Sequence, residues 1–327
     1  MSILKIAIRV DGGSQIGMGH VMRCLALANE LQKSNNVFFV CRIDNPLSDR
    51  YYPGIEKIKN SNFELRYIKE ESLKSDISKI NADCIITDSY DVDEEYFDLL
   101  KENFKFSGYF DDDYLCDYYN VDFIINQNIY GESSKYNLNK NTKEMIGSNY
   151  VILRDEFRNH KVLKNVNIDI KNIMITLGGS DEENNTEKII KQFLNTNFIL
   201  HVVIGSGFNN VEVLKKYEGS NVKLYVNAQM KKIMNMCDIC ISACGSTIYE
   251  LMSLGVPFIG VKVADNQRYL YKYIKEYSLG EVSDIENVNK KVEKLTYKKR
   301  VLLSKSLPEI IDGDGIKRIA NIINDLR

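Results

Sequence analysis

Leu4-Lys5-Ile6-Ala7-Ile8-Arg9-Val10, running into Asp11-Gly12-Gly13-Ser14-Gln15-Ile16-Gly17-Met18-Gly19-His20, is the stretch that decides the fold. This run, with β-branched Ile6, Ile8 and Val10 at every second position, ends in a glycine-rich turn. Beyond it, Val21, Leu25, Ala28 and Leu31 recur at the spacing of one helix face. Strand, glycine turn and helix in that order open a βαβ unit. Residues 37–41 (VFFVC), 63–68, 84–87 (CIIT), 106–110 and 123–125 read as further strands. The pattern restarts at 172–177 (NIMITL), which ends on Gly178-Gly179, and at 198–204 (FILHVVI), which ends on Gly205-Ser206-Gly207. Residues 223–226, 239–242 and 258–261 continue it, with helical stretches at 186–193 and 248–254. The fold class expected is α/β: two Rossmann-like domains with mainly parallel sheets, facing a central cleft. The first domain is expected over 1–157, a polar hinge over 158–169 and a second domain over 170–327. Ile316, Ile319, Ile322 and Ile323 give the chain a final amphipathic helix, free by sequence to pack back on the first domain.

The bulk numbers agree with two ordinary domains. The chain has 327 residues, 44% hydrophobic and 27% charged, long for one compact core and unremarkable in composition. A net charge of -2 supplies no basic field for a phosphate polymer, so no nucleic acid partner is expected. No apolar run approaches a bilayer-spanning length, and the first residues lack the shape of a signal peptide. No membrane insertion is expected, and the reading is of a cytoplasmic protein. The seven cysteines are odd in number. Cys237, Cys240 and Cys244 are closely spaced but have no second CxxC pair, and the only histidines are His20, His160 and His201. Buried thiols suit this pattern better than a metal site, so neither metal nor cofactor is expected.

Chemistry is concentrated at strand ends, because ligands of open parallel sheets bind beyond the carboxyl ends of the strands. His20 falls in the first turn of the first helix. There the positive dipole end disfavours imidazolium and favours the neutral form that a general base needs. Asp11, Gly17 and Gly19 of the same turn are expected to line the substrate. The turn is not a dinucleotide fingerprint, because Met22 stands where its third glycine would be. In the second half, Ser242-Ala243-Cys244-Gly245-Ser246-Thr247 again joins a strand to a helix. Gly245, Ser246 and Thr247 would receive a diphosphate through N–H groups and hydroxyls. Glu250, one turn on, would accept from ribose hydroxyls, or else partner Thr247 in a capping box. Gly179 and Ser180, within Gly178-Gly179-Ser180-Asp181, would close over a phosphate. Tyr90, after Asp88-Ser89, would bond a sugar. Asn266 and Gln267, within Ala264-Asp265-Asn266-Gln267, would orient the ligand.

Together with Arg23-Cys24-Leu25-Ala26-Leu27-Ala28, Asp111-Asp112 and Leu153-Arg154-Asp155-Glu156-Phe157, these motifs resemble the pseudaminic acid pathway hydrolase family. That family is related to the spore-coat polysaccharide protein SpsG. Its glycine-rich elements are shared with wider GT-B glycosyltransferases such as the MurG family. The resemblance runs over nearly the whole chain. It implies a GT-B fold and metal-independent hydrolysis of UDP-2,4-diacetamido-2,4,6-trideoxy-β-L-altropyranose to free sugar and UDP. His20 matches the family's catalytic histidine; Tyr90, Glu250 and Asn266 match ligand-binding positions. Cys244 departs from the family's frequent Gly-Gly-Ser-Thr, and a cysteine at a position of positive φ would be costly. Two alternatives stand beside the hydrolase: a GT-B glycosyltransferase using the same UDP-sugar donor, and a non-catalytic sugar-nucleotide-binding protein. The sequence does not set the oligomeric state.

Overall fold

The computed structural model describes residues 3–14, 16–133, 136–158, 164–205 and 207–326. Gln15 of the first turn, Ser206 of a later one, His160, and 159–163 of the expected hinge lie outside the described residues. The chain forms two compact units, Met1–Arg154 with Asp314–Arg327, and Asp155–Gly313. The division thus falls at Asp155, ahead of the expected hinge. The second unit ends at Gly313, so the last residues leave the expected 170–327 domain for the first unit.

The first unit alternates β1 (Lys5–Val10), α1 (Gly19–Leu31), β2 (Asn36–Ile43), α2 (Tyr52–Lys59), β3 (Glu64–Lys69) and α3 (Leu73–Ile77). It continues with β4 (Cys84–Asp88), α4 (Glu94–Asn103), β5 (Phe106–Phe110), β6 (Phe123–Asn126) and β7 (Lys143–Ile146). Its seven strands lie in the order β3-β2-β1-β4-β5-β6-β7, every neighbour parallel. Both faces of such a sheet are covered, which is why its central strands are apolar without alternation. On β1, Ile6, Ile8 and Val10 join the core beneath α1 and α2, with Val21, Cys24, Leu25 and Ala28. Ala7 faces the other core, with Tyr96, Phe97 and Tyr109. Arg9 is buried there too. Its guanidinium lies over the Tyr96 ring at 4.9 Å, with no hydrogen-bond partner among the described residues.

The second unit runs β8 (Asn172–Thr176), α5 (Asn185–Lys191), β9 (Ile199–Ile204), α6 (Val211–Lys215), β10 (Val222–Val226) and α7 (Met230–Met236). Then come β11 (Ile239–Ala243), α8 (Thr247–Ser253), β12 (Phe258–Val261), α9 (Arg268–Glu276), β13 (Glu281–Ser283), α10 (Val288–Val292) and α11 (Tyr297–Ile310). Its sheet is ordered β10-β9-β8-β11-β12-β13, again parallel throughout. Each sheet therefore reverses direction once, between β1 and β4 and between β8 and β11, the arrangement of the doubly wound nucleotide-binding fold.

The last helix, α12 (Gly315–Asn324), completes the first unit. Ile316, Ile319, Ala320 and Ile323 are buried in the same core as Val21 and Leu25. A Cβ on Gly315 would stand 2.3 Å from the Val151 carbonyl oxygen, so only glycine lets the helix start this close. No described helix is long and apolar enough to cross a membrane.

Candidate active site

The β1 turn carries His20 to the reversal point of the first sheet. Three of its glycines have structural causes. Cβ atoms on Gly12 and Gly13 would meet Val21 Cγ2 at 2.6 Å and the Arg50 carbonyl oxygen at 2.0 Å. Gly17 adopts φ +83°, a left-handed conformation that side chains disfavour, and its N–H donates to the Gly13 carbonyl at 2.8 Å. Gly19 differs: nothing lies within 4 Å of where its Cβ would be. Neither backbone nor packing demands glycine there, which leaves access to whatever meets His20 as a reason for it.

β4 is hydrogen-bonded beside β1, with Val10 paired to Asp88. This register brings Asp88, at the end of β4, to the first turn of α1. His20 Nδ1 lies 2.6 Å from Asp88 Oδ1. Arg23, one helical turn beyond His20, grips the same carboxylate with Nε to Oδ2 and Nη2 to Oδ1, both at 2.6 Å. Its Nη1 reaches Asp112 at 2.7 Å, and Cys24 Sγ donates to Asp88 Oδ2 at 3.3 Å. Asp112 also accepts from Asn128 Nδ2 at 3.0 Å and from the Tyr90 hydroxyl at 3.4 Å. The Tyr90 ring stands edge-on to the imidazole, centroids 4.8 Å apart.

Charge follows from this geometry. Burial pushes the Asp88 carboxyl up, but Arg23 and then His20 outweigh it and hold it well below the usual carboxylate range. An ionised carboxylate only accepts, so the short contact puts the proton on His20 Nδ1. Arg23 Nη2, 3.0 Å from that same nitrogen, is then a neighbouring charge and not a donor to it. In the neutral imidazole Nε2 is then the lone-pair nitrogen, and it has no hydrogen-bond partner among the described residues. Burial also opposes the charge on Arg23, while Asp112 and Asp88 raise its pKa well above the ordinary guanidinium value.

In the second unit, the β11 turn leads into α8 at the corresponding reversal point. Ser246 caps α8 without a side-chain hydrogen bond, so the Thr247–Glu250 capping box is not formed. Ser246 is exposed, Gly245 and Thr247 are partly so, and Glu250 is buried. Cys244 N–H donates to the Val261 carbonyl at 2.9 Å, and Gly245 N–H to that of Ala243 at 2.8 Å. The N–H groups of Ser246 and Thr247 have no acceptor among the described residues. Cys244 is not among the positive-φ residues. Its thiol is buried against Gly260 of β12, where a Cβ would stand 2.8 Å from Sγ, and burial pushes it up to about 12. The departure from glycine therefore costs no backbone strain, and the side chain turns into the core. On the β8 turn, Gly178 takes φ +107°, and Gly179 and Ser180 are exposed. The Asp181 carboxylate accepts from the Asn185 and Thr186 N–H groups at the start of α5, each at 2.8 Å. After β12, Asn266 is exposed, whereas the Gln267 side-chain oxygen accepts from Val263 N–H at 2.9 Å and braces its own loop.

Two expected residues have other engagements. Asp11 is buried, and its carboxylate accepts from the Arg42 N–H and Nε, both at 2.7 Å, tying β1 to β2. Gln267 is the second. Conversely, the sequence did not reveal Asp88 and Arg23 as partners of His20, or Asp112 as the partner of Arg23. A carboxylate closing the apolar run Cys84-Ile85-Ile86-Thr87, and an arginine three residues after the histidine, were the available signals.

Residues 172–317 match the glycosyltransferase family 28 C-terminal domain. The chain is 32% identical over 295 residues to the uncharacterized protein MJ1062 of Methanocaldococcus jannaschii, covering 84% of this chain but only 59% of that protein's length. It is 26% identical to the spore coat polysaccharide biosynthesis protein SpsG of Bacillus subtilis, over 99% of this chain and 98% of SpsG. It is 27% identical to the UDP-2,4-diacetamido-2,4,6-trideoxy-β-L-altropyranose hydrolase of Campylobacter jejuni, over 81% of this chain and 93% of that enzyme. Among solved structures, MurG of Acinetobacter baumannii superposes with a TM-score of 0.68 at 13% identity, covering 98% of this chain and 99% of MurG. The calicheamicin glycosyltransferase CalG4 gives 0.67 at 12%, covering 100% and 98%. The chain is thus similar in sequence to SpsG and to the UDP-2,4-diacetamido-2,4,6-trideoxy-β-L-altropyranose hydrolase, and its fold is GT-B.

Proposed function

We infer that this chain hydrolyses a UDP-linked 2,4-diacetamido-2,4,6-trideoxyhexose to free sugar and UDP, a step of pseudaminic acid biosynthesis. The observation that carries the reading is His20, held through Nδ1 by Asp88 with Nε2 left unpartnered among the described residues. Nε2 takes a proton from water as the water oxygen attacks the anomeric carbon. The bond from that carbon to the diphosphate oxygen breaks, and its electron pair leaves with UDP. Attack opposite the leaving group inverts the anomeric centre. The second unit supplies the nucleotide subsite: N–H groups of Ser246 and Thr247 meet the diphosphate charge as it develops, and Glu250 receives the ribose. Tyr90 and Asn266 contact the sugar-nucleotide, with Gly179 and Ser180 at the phosphates.

A second reading, transfer of the sugar to an acceptor other than water, is favoured by the family 28 domain and by the glycosyltransferase folds. One experiment separates them. UDP-linked diacetamido sugars are incubated with the protein and no acceptor, and free sugar and its anomeric form are followed by NMR. Release with inversion supports hydrolysis; intact donor until an alcohol acceptor is added supports transfer. General-base catalysis contributes about 10²–10⁴-fold, so His20→Asn should slow release by at least about 10²-fold while UDP affinity by calorimetry holds. A near-normal rate in that variant removes His20 from the reaction.

A further inference from the structure

We propose that Asp88 is a positioning residue that compels His20 into the tautomer with a bare Nε2, and that Arg23 is the clamp that holds Asp88 to that task. The inference rests on the hydrolase reading for its kinetics but not for its geometry. A neutral imidazole has two tautomers, and only the one protonated at Nδ1 presents a basic Nε2. Nothing in an isolated helix turn chooses between them. Here the choice is made by a carboxylate that is 1% exposed and 2.6 Å from Nδ1. Being an acceptor, it excludes a bare Nδ1 at that distance.

Arg23 makes the arrangement rigid. Its two-point grip fixes the plane of the carboxylate and keeps it ionised. The guanidinium is itself fixed at its far end by Asp112 and from below by the Phe110 ring, 4.9 Å away. Because Arg23 follows His20 by one helical turn, a single element delivers both groups to one carboxylate. Tyr90 completes the frame, its ring edge-on to the imidazole and its hydroxyl on Asp112. The imidazole is thereby held through Nδ1 by Asp88 and packed against the Tyr90 ring. Asp88 does not face the reacting atoms in this scheme; it acts through His20.

The test reads tautomers directly. Long-range ¹H–¹⁵N correlation spectra of uniformly labelled full-length protein resolve the ring nitrogens of its three histidines, and His20→Asn assigns the His20 set. The expected wild-type pattern is a protonated Nδ1 and an unprotonated Nε2. Wild-type protein with the proton on Nε2 overturns the proposal, and this arm needs no variant to fold. Asp88→Asn should mix or reverse the tautomers and lower kcat by about 10²–10⁴-fold with KM within about twofold; in a serine-protease triad the corresponding aspartate-to-asparagine change leaves the geometry intact and lowers kcat about 10⁴-fold. Unchanged tautomers and kcat in Asp88→Asn also overturn it. Arg23→Lys, which keeps charge but loses the planar grip, should lower kcat less, by about 10-fold, without changing UDP affinity. If no UDP-sugar is hydrolysed yet His20 shows the expected tautomer, the positioning stands and the hydrolase reading falls.

Discussion

Ile319→Ala, near the end of the chain, should loosen the unit that carries His20. Ile319 is fully buried and belongs to the core of the first unit, beside residues of α1. The substitution removes Cγ1, Cγ2 and Cδ1, which at about 0.8 kcal/mol per carbon is about 2.4 kcal/mol of lost burial. Close packing prevents full collapse of the cavity, and the total rises to about 3–4 kcal/mol. That is a large share of the ~5–15 kcal/mol that stabilises a typical domain. Native-state hydrogen exchange gives the assay. The slowest amides of β1 and β4 should exchange about 10²–10³-fold faster, while those of β8 and β11 keep their protection. Unchanged protection in β1 and β4, or an equal loss in β8 and β11, would refute the assignment of α12 to the first core.

Gly13→Ala and Gly19→Ala should part company. The first sets a Cβ 2.0 Å from backbone and should cost about 1–3 kcal/mol or more by chemical denaturation; the second meets nothing and should leave stability level or slightly raised, so any fall in turnover there reports a ligand contact. Acid should expose Asp88: a carboxyl whose pKa is depressed in the fold contributes its full stabilisation above the unfolded value near ~3.9 and loses it as pH falls further. Urea midpoints should therefore drop more steeply below about pH 4 in wild type than in Asp88→Asn, and parallel slopes would contradict the ion-pair account. Alkylation by iodoacetamide under native conditions should label Cys116 first, because it alone of the seven cysteines is not buried and the reagent must reach the sulfur, even though burial and nearby carboxylates push this thiol up as well; mass spectrometry of tryptic peptides gives the order.

Much of the fold was legible because buried parallel strands announce themselves as apolar runs. The strands read from sequence are all present, with ends displaced by a residue or two. Those passed over, β7 (KEMI) and β13 (EVS), are edge strands, short and half polar. With a neighbour on one side only, they need no apolar run. The amphipathic character of α12 was visible, and the first domain was one destination open to it, but an apolar face does not by itself name the core that receives it. The position of His20 was legible for a local reason, strand and turn and helix in sequence. Its partner was not: Asp88 lies 68 residues away, and only the register of β1 on β4 brings them together. Asp11 shows the converse. Its place in the motif invited a substrate role, yet Arg42 takes both its oxygens.

The contact between Cys244 and Gly260 bears on how sequences of this kind can diverge. An alanine at 260 would press its Cβ to within 2.8 Å of the thiol, so the same replacement is harmful beside cysteine and tolerable beside glycine. The two positions are expected to be epistatic, and the order of change to matter: clearing position 244 first lets position 260 be filled without moving the thiol, whereas filling 260 first forces it to shift. A library varying both sites together should recover the pairs Cys–Gly, Gly–Gly and Gly–Ala, and be depleted in Cys–Ala.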